Sequence, residues 1–347
     1  MVLAKCMIAM SGGVDSSVAA WVLREKGYDC IGATMRLYDG GTCCDLQDVE
    51  DARAVCQRLG IPHQVFWLWE EFQDRVISPF ASEYLAGRTP NPCIECNRYL
   101  KFQLLWEKAM ELGCDMLATG HYARIVETGN GPRLQKGLDP AKDQSYVLYF
   151  LSREQLARTL FPLGDLTKDR VRAIAAAQGF VNAEKYESQD ICFIPDGDYG
   201  GFLERFTGRP HTPGDFLDGE GRVLGRHRGA ACYTLGQRKG LGVSAESRLY
   251  VTAKDMEKNT VTLGQNRELF GDSLTAGRLT LMGQIPAEGL RLKAKVRYRQ
   301  TEQPCTVFLR EKDRLEVRFD EPQRAITPGQ ALVLYDGDTV FGGGTIL

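Results

Sequence analysis

Short apolar runs alternate with amphipathic segments through the first half of the chain. Apolar runs closed by glycine or proline indicate buried strands, and apolar residues three or four positions apart indicate helices. The pattern predicts strands at 5–10, 29–35, 63–68 and 115–119, and helices at 16–26, 49–59, 100–112, 153–158 and 168–178. This alternation predicts an α/β domain with a parallel sheet, whose ligands bind at the carboxyl ends of the strands.

The pattern changes near residue 196, where glycine and proline become frequent and short alternating runs replace the helices. Successive strands are predicted at 292–298, 305–309, 315–319 and 331–334. Several short strands in close succession are typical of a small closed β-barrel, which we expect at the C-terminus. The expected fold class is therefore α/β followed by β.

The composition is that of a folded chain. It has 347 residues, a formal net charge of −2 and 43% hydrophobic residues, which excludes disorder as the main state. No apolar run approaches the roughly 20 residues that span a bilayer, and the first ten residues are too short for a secretory signal. We therefore expect a cytoplasmic protein with no membrane partner. Its eleven cysteines are expected to be thiols, ligands or catalysts rather than disulfides.

The segment Ser11-Gly12-Gly13-Val14-Asp15-Ser16-Ser17 lies between the first predicted strand and the first predicted helix. The glycines let the backbone approach an anion, and the helix start offers N–H groups to it. The loop lacks the lysine of a Walker loop. It resembles the pyrophosphatase loop of enzymes that activate an oxygen by adenylation with ATP. Asp15 would be repelled by phosphates unless it holds a cation, for which Mg²⁺ is expected.

Three cysteines are candidates for sulfur chemistry. Cys93 and Cys96 form a C-x-x-C pair, and Cys192 is the distant third thiol. Three thiolates can carry redox sulfur or hold an iron–sulfur cluster with one open iron. Cys43 and Cys44 form either a second cluster or a solvated loop. The remaining cysteines are expected to be small hydrophobes rather than reagents: Cys6, Cys30, Cys56, Cys114, Cys232 and Cys305.

A basic stripe lies near the C-terminus. Five basic residues alternate with apolar ones, at positions Arg291, Lys293, Lys295, Arg297 and Arg299. On one strand this spacing places the charges on one face, which suits a nucleic-acid backbone or the solvated outside of a barrel. A second basic stretch lies on glycine-rich segments, at Arg222, Arg226, Arg228, Arg238 and Lys239.

Taken together and in order, the motifs resemble those of the bacterial tRNA-specific 2-thiouridylases (tRNA-uridine 2-sulfurtransferases). The resemblance covers nearly the whole chain. It rests on residues 10–16, 87–93, 96–97, 118–122, 142–146, 190–194, 234–240, 297–300 and 327–330.

The resemblance implies three domains: an ATP-pyrophosphatase domain at 1–197, a central tRNA-binding domain at 198–273 and a C-terminal β-barrel at 274–347. It implies ATP-dependent 2-thiolation of the wobble uridine in tRNA(Lys), tRNA(Glu) and tRNA(Gln), with release of AMP and pyrophosphate. The expected partners are these tRNAs and a sulfur donor, either a cysteine desulfurase or a relay protein. The expected state is a monomer bound to one tRNA.

The resemblance also assigns residues. Those that hold ATP would be Ala9, Met10, Ser11, Gly12, Gly13, Val14, Asp15, Ser16, Met35 and Gly120. Those that contact the target base or the rest of the tRNA would be Asn91, Pro92, Cys93, His121, Lys142, Asp143, Gln144, Arg297, Tyr298 and Gln330. Cys192 would carry a persulfide and Cys96 would be its partner nucleophile, which leaves a Cys96–Cys192 disulfide to be reduced.

One position departs from the family pattern. Many members have aspartate where this chain has Cys93, and the change creates a set of three cysteines with Cys96 and Cys192. That set resembles a subgroup for which a four-iron four-sulfur cluster is proposed. The sulfur could therefore come from a Cys192 persulfide or from cluster sulfide, and the sequence leaves both routes open.

Two other functions fit part of the sequence. An adenylating ligase or synthetase acting on a small metabolite would use the same loop. An RNA-binding protein with a structural zinc clip would use the C-x-x-C pair. Neither explains all the motifs.

Overall fold

The computed structural model describes residues 3–37, 46–185, 191–310 and 313–347. Its strands are β1 Leu3–Ala9, β2 Tyr28–Arg36, β3 His63–Trp67, β4 Met116–Ala118, β5 Ala123–Thr128, β6 Gly131–Lys136, β7 Thr159–Leu160, β8 Gly214–Leu217, β9 Val223–His227, β10 Tyr250–Asp255, β11 Thr260–Gly264, β12 Phe270–Leu281, β13 Leu290–Lys295, β14 Gln303–Arg310, β15 Arg314–Arg324, β16 Ala331–Asp336 and β17 Thr339–Ile346.

Its α-helices are α1 Val14–Glu25, α2 Leu46–Leu59, α3 Trp69–Phe72, α4 Ser78–Leu85, α5 Pro92–Glu95, α6 Leu105–Glu111, α7 Arg153–Ala157, α8 Lys168–Ala177 and α9 Tyr199–Thr207. Two π-helices cover Gln73–Ile77 and Cys96–Leu104, and short 3-10 helices cover Ser145–Leu148, Ala230–Cys232 and Asn266–Leu269. None of the helices in the described ranges is long and apolar enough to cross a membrane.

The first of two compact units comprises Met1–Val76, Pro92–Gly197 and Gly337–Val340. Its sheet has the order β3-β2-β1-β4-β7, and every pair of neighbouring strands is parallel. Helices α1, α2 and α8 pack against it through buried residues such as Val18, Ala52 and Val171. Because β1 is central, the loop that follows it lies at the middle of the carboxyl edge, where such sheets bind ligands.

The second unit comprises Ile77–Asn91, Asp198–Asp336 and Phe341–Leu347. One sheet in it has the order β10-β11-β8-β9 around a small core that includes Phe216 and Val261. The other six strands follow the order β12-β15-β14-β13-β16-β17, and an antiparallel β12–β17 pairing closes them into a barrel. The expected fold class, a parallel α/β sheet followed by a C-terminal β-barrel, is confirmed.

Candidate active site

The loop between β1 and α1 adopts a conformation that requires glycine. Gly12 has a φ of 73°, and a Cβ atom at this position would collide with the backbone of Asp48 at the start of α2. Gly13 caps α1 and has no side chain to occupy the N–H groups of the first helical turn. These N–H groups, at the positive end of the helix dipole, can therefore receive an anion such as phosphate.

Serine hydroxyls and a second strand hold the loop in place. Ser16 Oγ and Ser17 Oγ donate to the Gly13 carbonyl at 2.9 and 3.1 Å, and the Ser11 N–H donates to Ser16 Oγ at 3.2 Å. At the end of β4, a Cβ atom on Gly120 would lie 2.9 Å from the Ser16 nitrogen. Gly120 therefore lies against the loop, and its contact with ATP stays a prediction.

Asp15 faces a cation that the sequence did not indicate. Lys168 Nζ, at the start of α8, lies 2.7 and 2.9 Å from the two Asp15 carboxylate oxygens. Tyr122 donates its hydroxyl to Asp15 Oδ1 at 2.7 Å, and the Lys168 ammonium lies 5.9 Å from the centre of the Tyr122 ring. Lys168 is 7% exposed. The carboxylate is therefore paired with lysine, and its binding of Mg²⁺ stays a prediction.

The carboxyl ends of β2 and β4 carry buried polar networks close to Met35 and Gly120. Thr34 donates its hydroxyl to the Met10 carbonyl at 2.8 Å, so His63 Nε2, also 2.8 Å away, must be the donor in its contact with Thr34. His121 is 7% exposed, and its Nδ1 lies 2.7 Å from Thr119 Oγ1. Burial lowers the pKa of His121 well below its usual value. The ring is therefore neutral near pH 7, and its contact with tRNA stays a prediction.

The three candidate cysteines all lie in the first unit. Cys93 is exposed in α5, and Cys96 is half-buried at the first position of the following π-helix. Cys192 is half-buried, and the next residue, Phe193, packs edge-on against Phe72 with 5.7 Å between ring centres. Across the described ranges, no three His, Cys, Asp or Glu side chains are arranged to hold a metal ion. A cluster held by these three thiols stays a prediction.

Comparison with known proteins identifies the family. Three family models match in succession: a tRNA methyl transferase HUP domain at 4–196, a tRNA methyl transferase PRC-barrel domain at 200–265 and an aminomethyltransferase β-barrel domain at 271–346. A protein of Geotalea uraniireducens named tRNA-specific 2-thiouridylase MnmA is 49% identical, over 99% of this chain and 94% of its own length. The chain belongs to the tRNA-specific 2-thiouridylase family.

A second relative carries the same name. A protein of the same name from Lachnoclostridium phytofermentans is 47% identical over 99% of both chains. Among solved structures, a 4-thiouridine synthetase–RNA complex with bound ATP matches 59% of this chain and 50% of that one. The two share 19% sequence identity, with a TM-score of 0.40.

Several residues that the thiouridylase resemblance assigned to tRNA have structural contacts. Asp143 accepts hydrogen bonds from the N–H groups of Gly137 and Ser145, at 3.0 and 3.1 Å. Gln144 Oε1 accepts from the Tyr122 N–H at 3.0 Å. Together with Lys142 they form the turn after β6. These contacts fix the turn, and its binding of tRNA stays a prediction.

In the second unit, Arg297 and Gln330 also bond to the protein. Arg297 Nη2 lies 2.5 Å from Thr327 Oγ1 and donates to the Ala325 carbonyl at 3.3 Å. Gln330 Nε2 donates to the Thr89 carbonyl at 2.7 Å. Tyr298 is 39% exposed. Asn91 is half-buried and Pro92 is buried. Their roles in binding tRNA remain predictions.

The basic stripe is shorter than predicted. Strand β13 ends at Lys295, so Arg291, Lys293 and Lys295 share its outer face while Arg297 and Arg299 lie in the turn beyond it. The prediction of one strand through residue 298 was wrong, because the alternation of charges continues past the last ladder pair, Lys295 with Val333.

Five of the six cysteines expected to be hydrophobic are buried, and burial raises the pKa of Cys30 to about 11 and of Cys56 and Cys305 to about 12. Cys232 is half-buried, and desolvation raises its pKa to about 11. Such thiols are poor nucleophiles near pH 7, so the expectation for them is confirmed. Cys43 and Cys44 lie outside the described residues.

Proposed function

We propose that this chain is an ATP-dependent tRNA-uridine 2-sulfurtransferase acting on the wobble uridine of tRNA(Lys), tRNA(Glu) and tRNA(Gln). The observation that carries the proposal is the 49% identity, over 99% of the chain, to a protein named tRNA-specific 2-thiouridylase. The loop after β1 supports the use of ATP, since its uncapped helix start can bind phosphate. Because the substrate is tRNA, the proposed location is the cytoplasm, with a monomer bound to one tRNA.

The first proposed step activates the uracil carbonyl. Its oxygen is a poor leaving group, and transfer of AMP to it, with release of pyrophosphate, makes AMP the leaving group. The amides of the α1 start support this step, because preorganised N–H groups stabilise charge that develops on phosphate. Mg²⁺ bound with ATP would supply further charge neutralisation at the phosphates.

The second proposed step transfers sulfur. A sulfur donor, either a cysteine desulfurase or a relay protein, loads Cys192 as a persulfide, and its outer sulfur attacks the activated ring carbon as AMP leaves. The Cys96 thiolate then attacks the inner sulfur, which releases 2-thiouridine and forms a Cys96–Cys192 disulfide for an external thiol to reduce. The half-buried positions of both thiols support these roles, since the seven other described cysteines, apart from the exposed Cys93, are buried or have raised pKa values.

The experiment compares Cys192→Ser, Cys96→Ser and the matched control Cys93→Ser. Each purified chain is given ATP, Mg²⁺, tRNA(Lys) and a persulfide source, and both pyrophosphate and 2-thiouridine are measured. We expect the first two variants to release pyrophosphate without forming 2-thiouridine, because they retain the ATP loop and lose the sulfur path. Thiolation by Cys192→Ser would overturn the persulfide route.

The alternative source of sulfur is a four-iron four-sulfur cluster on Cys93, Cys96 and Cys192. Iron and acid-labile sulfide, measured after anaerobic purification, distinguish the two routes. Enzyme that thiolates tRNA without iron supports the persulfide, and Cys93→Ser then keeps its activity. Iron that is lost together with activity in Cys93→Ser would instead make Cys93 a cluster ligand.

A further inference from the structure

One buried side chain fastens the turn after α8 to the phosphate loop. Asn182 is 2% exposed, and its Nδ2 donates to the Gly12 carbonyl at 2.8 Å and to Ser17 Oγ at 2.9 Å. A carbonyl oxygen only accepts hydrogen bonds, so the nitrogen of the amide must face Gly12. Both N–H groups of the Asn182 side chain are therefore committed to the loop.

The second contact extends to the next peptide group. Ser17 Oγ accepts from Asn182 and donates its own hydrogen to the Gly13 carbonyl at 3.1 Å. Asn182 thus fixes the Gly12 carbonyl directly and the Gly13 carbonyl through one hydroxyl. The two carbonyls belong to the consecutive peptide groups that open α1.

Fixing a carbonyl also fixes the N–H of the same peptide group. In a planar trans peptide the C=O and N–H bonds point in opposite directions, and the described chain has no cis peptide bond. Drawing the Gly12 and Gly13 carbonyls toward Asn182 therefore turns the N–H groups of Gly13 and Val14 away from it. These are the N–H groups that a phosphate would use at the start of α1.

The Asn182 side chain keeps this arrangement at a cost. Its Oδ1 is buried and makes no hydrogen bond within the described ranges. A buried polar atom without a partner is unfavourable for folding, so its presence calls for a compensating role. The far end of the same turn is anchored too, since Lys185 Nζ lies 2.7 Å from Asp48 Oδ1. The turn that carries Asn182 is therefore also held to α2.

We propose that Asn182 is a positioning residue for the phosphates of ATP: through the Gly12 and Gly13 carbonyls, it directs the Gly13 and Val14 N–H groups toward the nucleotide. This inference rests on the proposed function only in taking ATP as the ligand of the loop. Asparagine is specific for the task, because alanine lacks the donors and aspartate would set a carboxylate oxygen against the Gly12 carbonyl.

The test is equilibrium binding of a non-hydrolysable ATP analogue with Mg²⁺, measured by calorimetry on the full chain. We expect Asn182→Ala and Asn182→Asp to raise the Kd about tenfold, equivalent to about 1.4 kcal/mol, and to leave tRNA affinity unchanged. Ser17→Ala should raise it less, because the direct bond to Gly12 remains. The matched control is Thr159→Val, which removes another buried hydroxyl-to-carbonyl bond of the first unit, at 2.7 Å, and should leave the Kd unchanged.

The outcomes separate the two proposals. An unchanged Kd in both Asn182 variants, or an equal rise in Thr159→Val, would overturn the positioning role. A wild-type chain that does not bind the analogue would overturn both proposals. Wild type that binds the analogue but does not thiolate tRNA, together with weakened binding in the Asn182 variants, would overturn the proposed function and support the role of Asn182.

Discussion

The Asp15 carboxylate faces the positive charge of Lys168, which lies 153 residues further along the chain. The lysine is buried, whereas the Asp15 side chain is 30% exposed. Removing one partner of such a pair leaves the other charge without compensation, and removing both is far less costly. The pair should therefore show strong coupling.

We expect Lys168→Met to lower the free energy of unfolding by about 2 kcal/mol, less than the roughly 3–5 kcal/mol of a fully buried pair, because Asp15 is partly solvated. The double variant Asp15→Asn/Lys168→Met should recover at least half of that loss. The free energy of unfolding is measured in urea, with tryptophan fluorescence as the probe. All four tryptophans lie in the first unit: Trp21, Trp67, Trp69 and Trp106. Additive losses in the double variant would show that the pair contributes nothing.

Among the elements, strands and helices with a clear apolar period were predictable, whereas a π-helix and one hairpin were not. Strand β1 and helix α2 follow the predicted ranges closely, because their buried residues recur at the spacing of one strand or helix. The predicted helix at 100–112 is instead a π-helix, Cys96–Leu104, followed by α6. The strands β5 and β6 were missed, although Gly129-Asn130 between them is a hairpin signal.

Some residues of the candidate site could be identified from the sequence and others could not. The phosphate loop is contiguous, so its glycines and serines could be identified from the sequence. Lys168, Tyr122 and Asn182 could not, because their partners are 153, 107 and 170 residues away and meet them only in the folded sheet. Thr167 does mark the start of α8, since its hydroxyl accepts the Arg170 N–H. No local signal places Lys168 against Asp15.

The outer face of strand β13 allows a test of RNA binding, because it carries one basic residue that is in an ion pair and one that, within the described ranges, is not. Arg291 lies 2.7 and 2.6 Å from the Asp320 carboxylate oxygens, whereas no ion pair of Lys293 is found in the described part of the chain. We expect Lys293→Gln to reduce the slope of log K against log salt for tRNA binding by roughly 0.7–0.9, the contribution of one phosphate contact.

Arg291→Gln is the matched control, because it leaves Asp320 unpaired and removes a charge that was already neutralised. Its slope should change less than that of Lys293→Gln. Binding is measured between 50 and 200 mM salt, about the range over which phosphate contacts are resolved. Equal slopes for wild type and Lys293→Gln would exclude this face of β13 from the RNA interface.

At the scale of the whole molecule, acidic and basic residues nearly cancel, and the response to pH near neutrality depends on a few buried or half-buried histidines. Burial is the main cause that lowers the pKa values of His63, His121 and His227. His63 and His121 belong to the first unit, which contains all four tryptophans. Tryptophan fluorescence therefore follows the unfolding of the unit that holds these two.

The sign follows from proton uptake. The unfolded chain binds a proton at each histidine below about pH 6.5, whereas folded His63 and His121 resist protonation, so stability falls as the pH falls from 7 to 5. His121 contributes most, since its pKa is lowered well below the usual value. If it stays neutral in the folded state, it alone costs about 2 kcal/mol between pH 6.5 and 5. Carboxyl groups with lowered pKa values, such as Glu83, act mainly below this range.

We expect His121→Phe to flatten the dependence of the free energy of unfolding on pH between 7 and 5. The slope should fall by about the amount that the uptake of one proton contributes. Phenylalanine suits the site, because the His121 ring already lies 6.2 and 6.1 Å from the centres of Phe102 and Phe161. Thr119→Val is the control: it removes the partner of Nδ1 and keeps the buried imidazole, so it should lower stability while preserving the slope. An unchanged slope in His121→Phe would mean that the ring is protonated in the folded chain, and that its burial does not keep it neutral beside the phosphate loop.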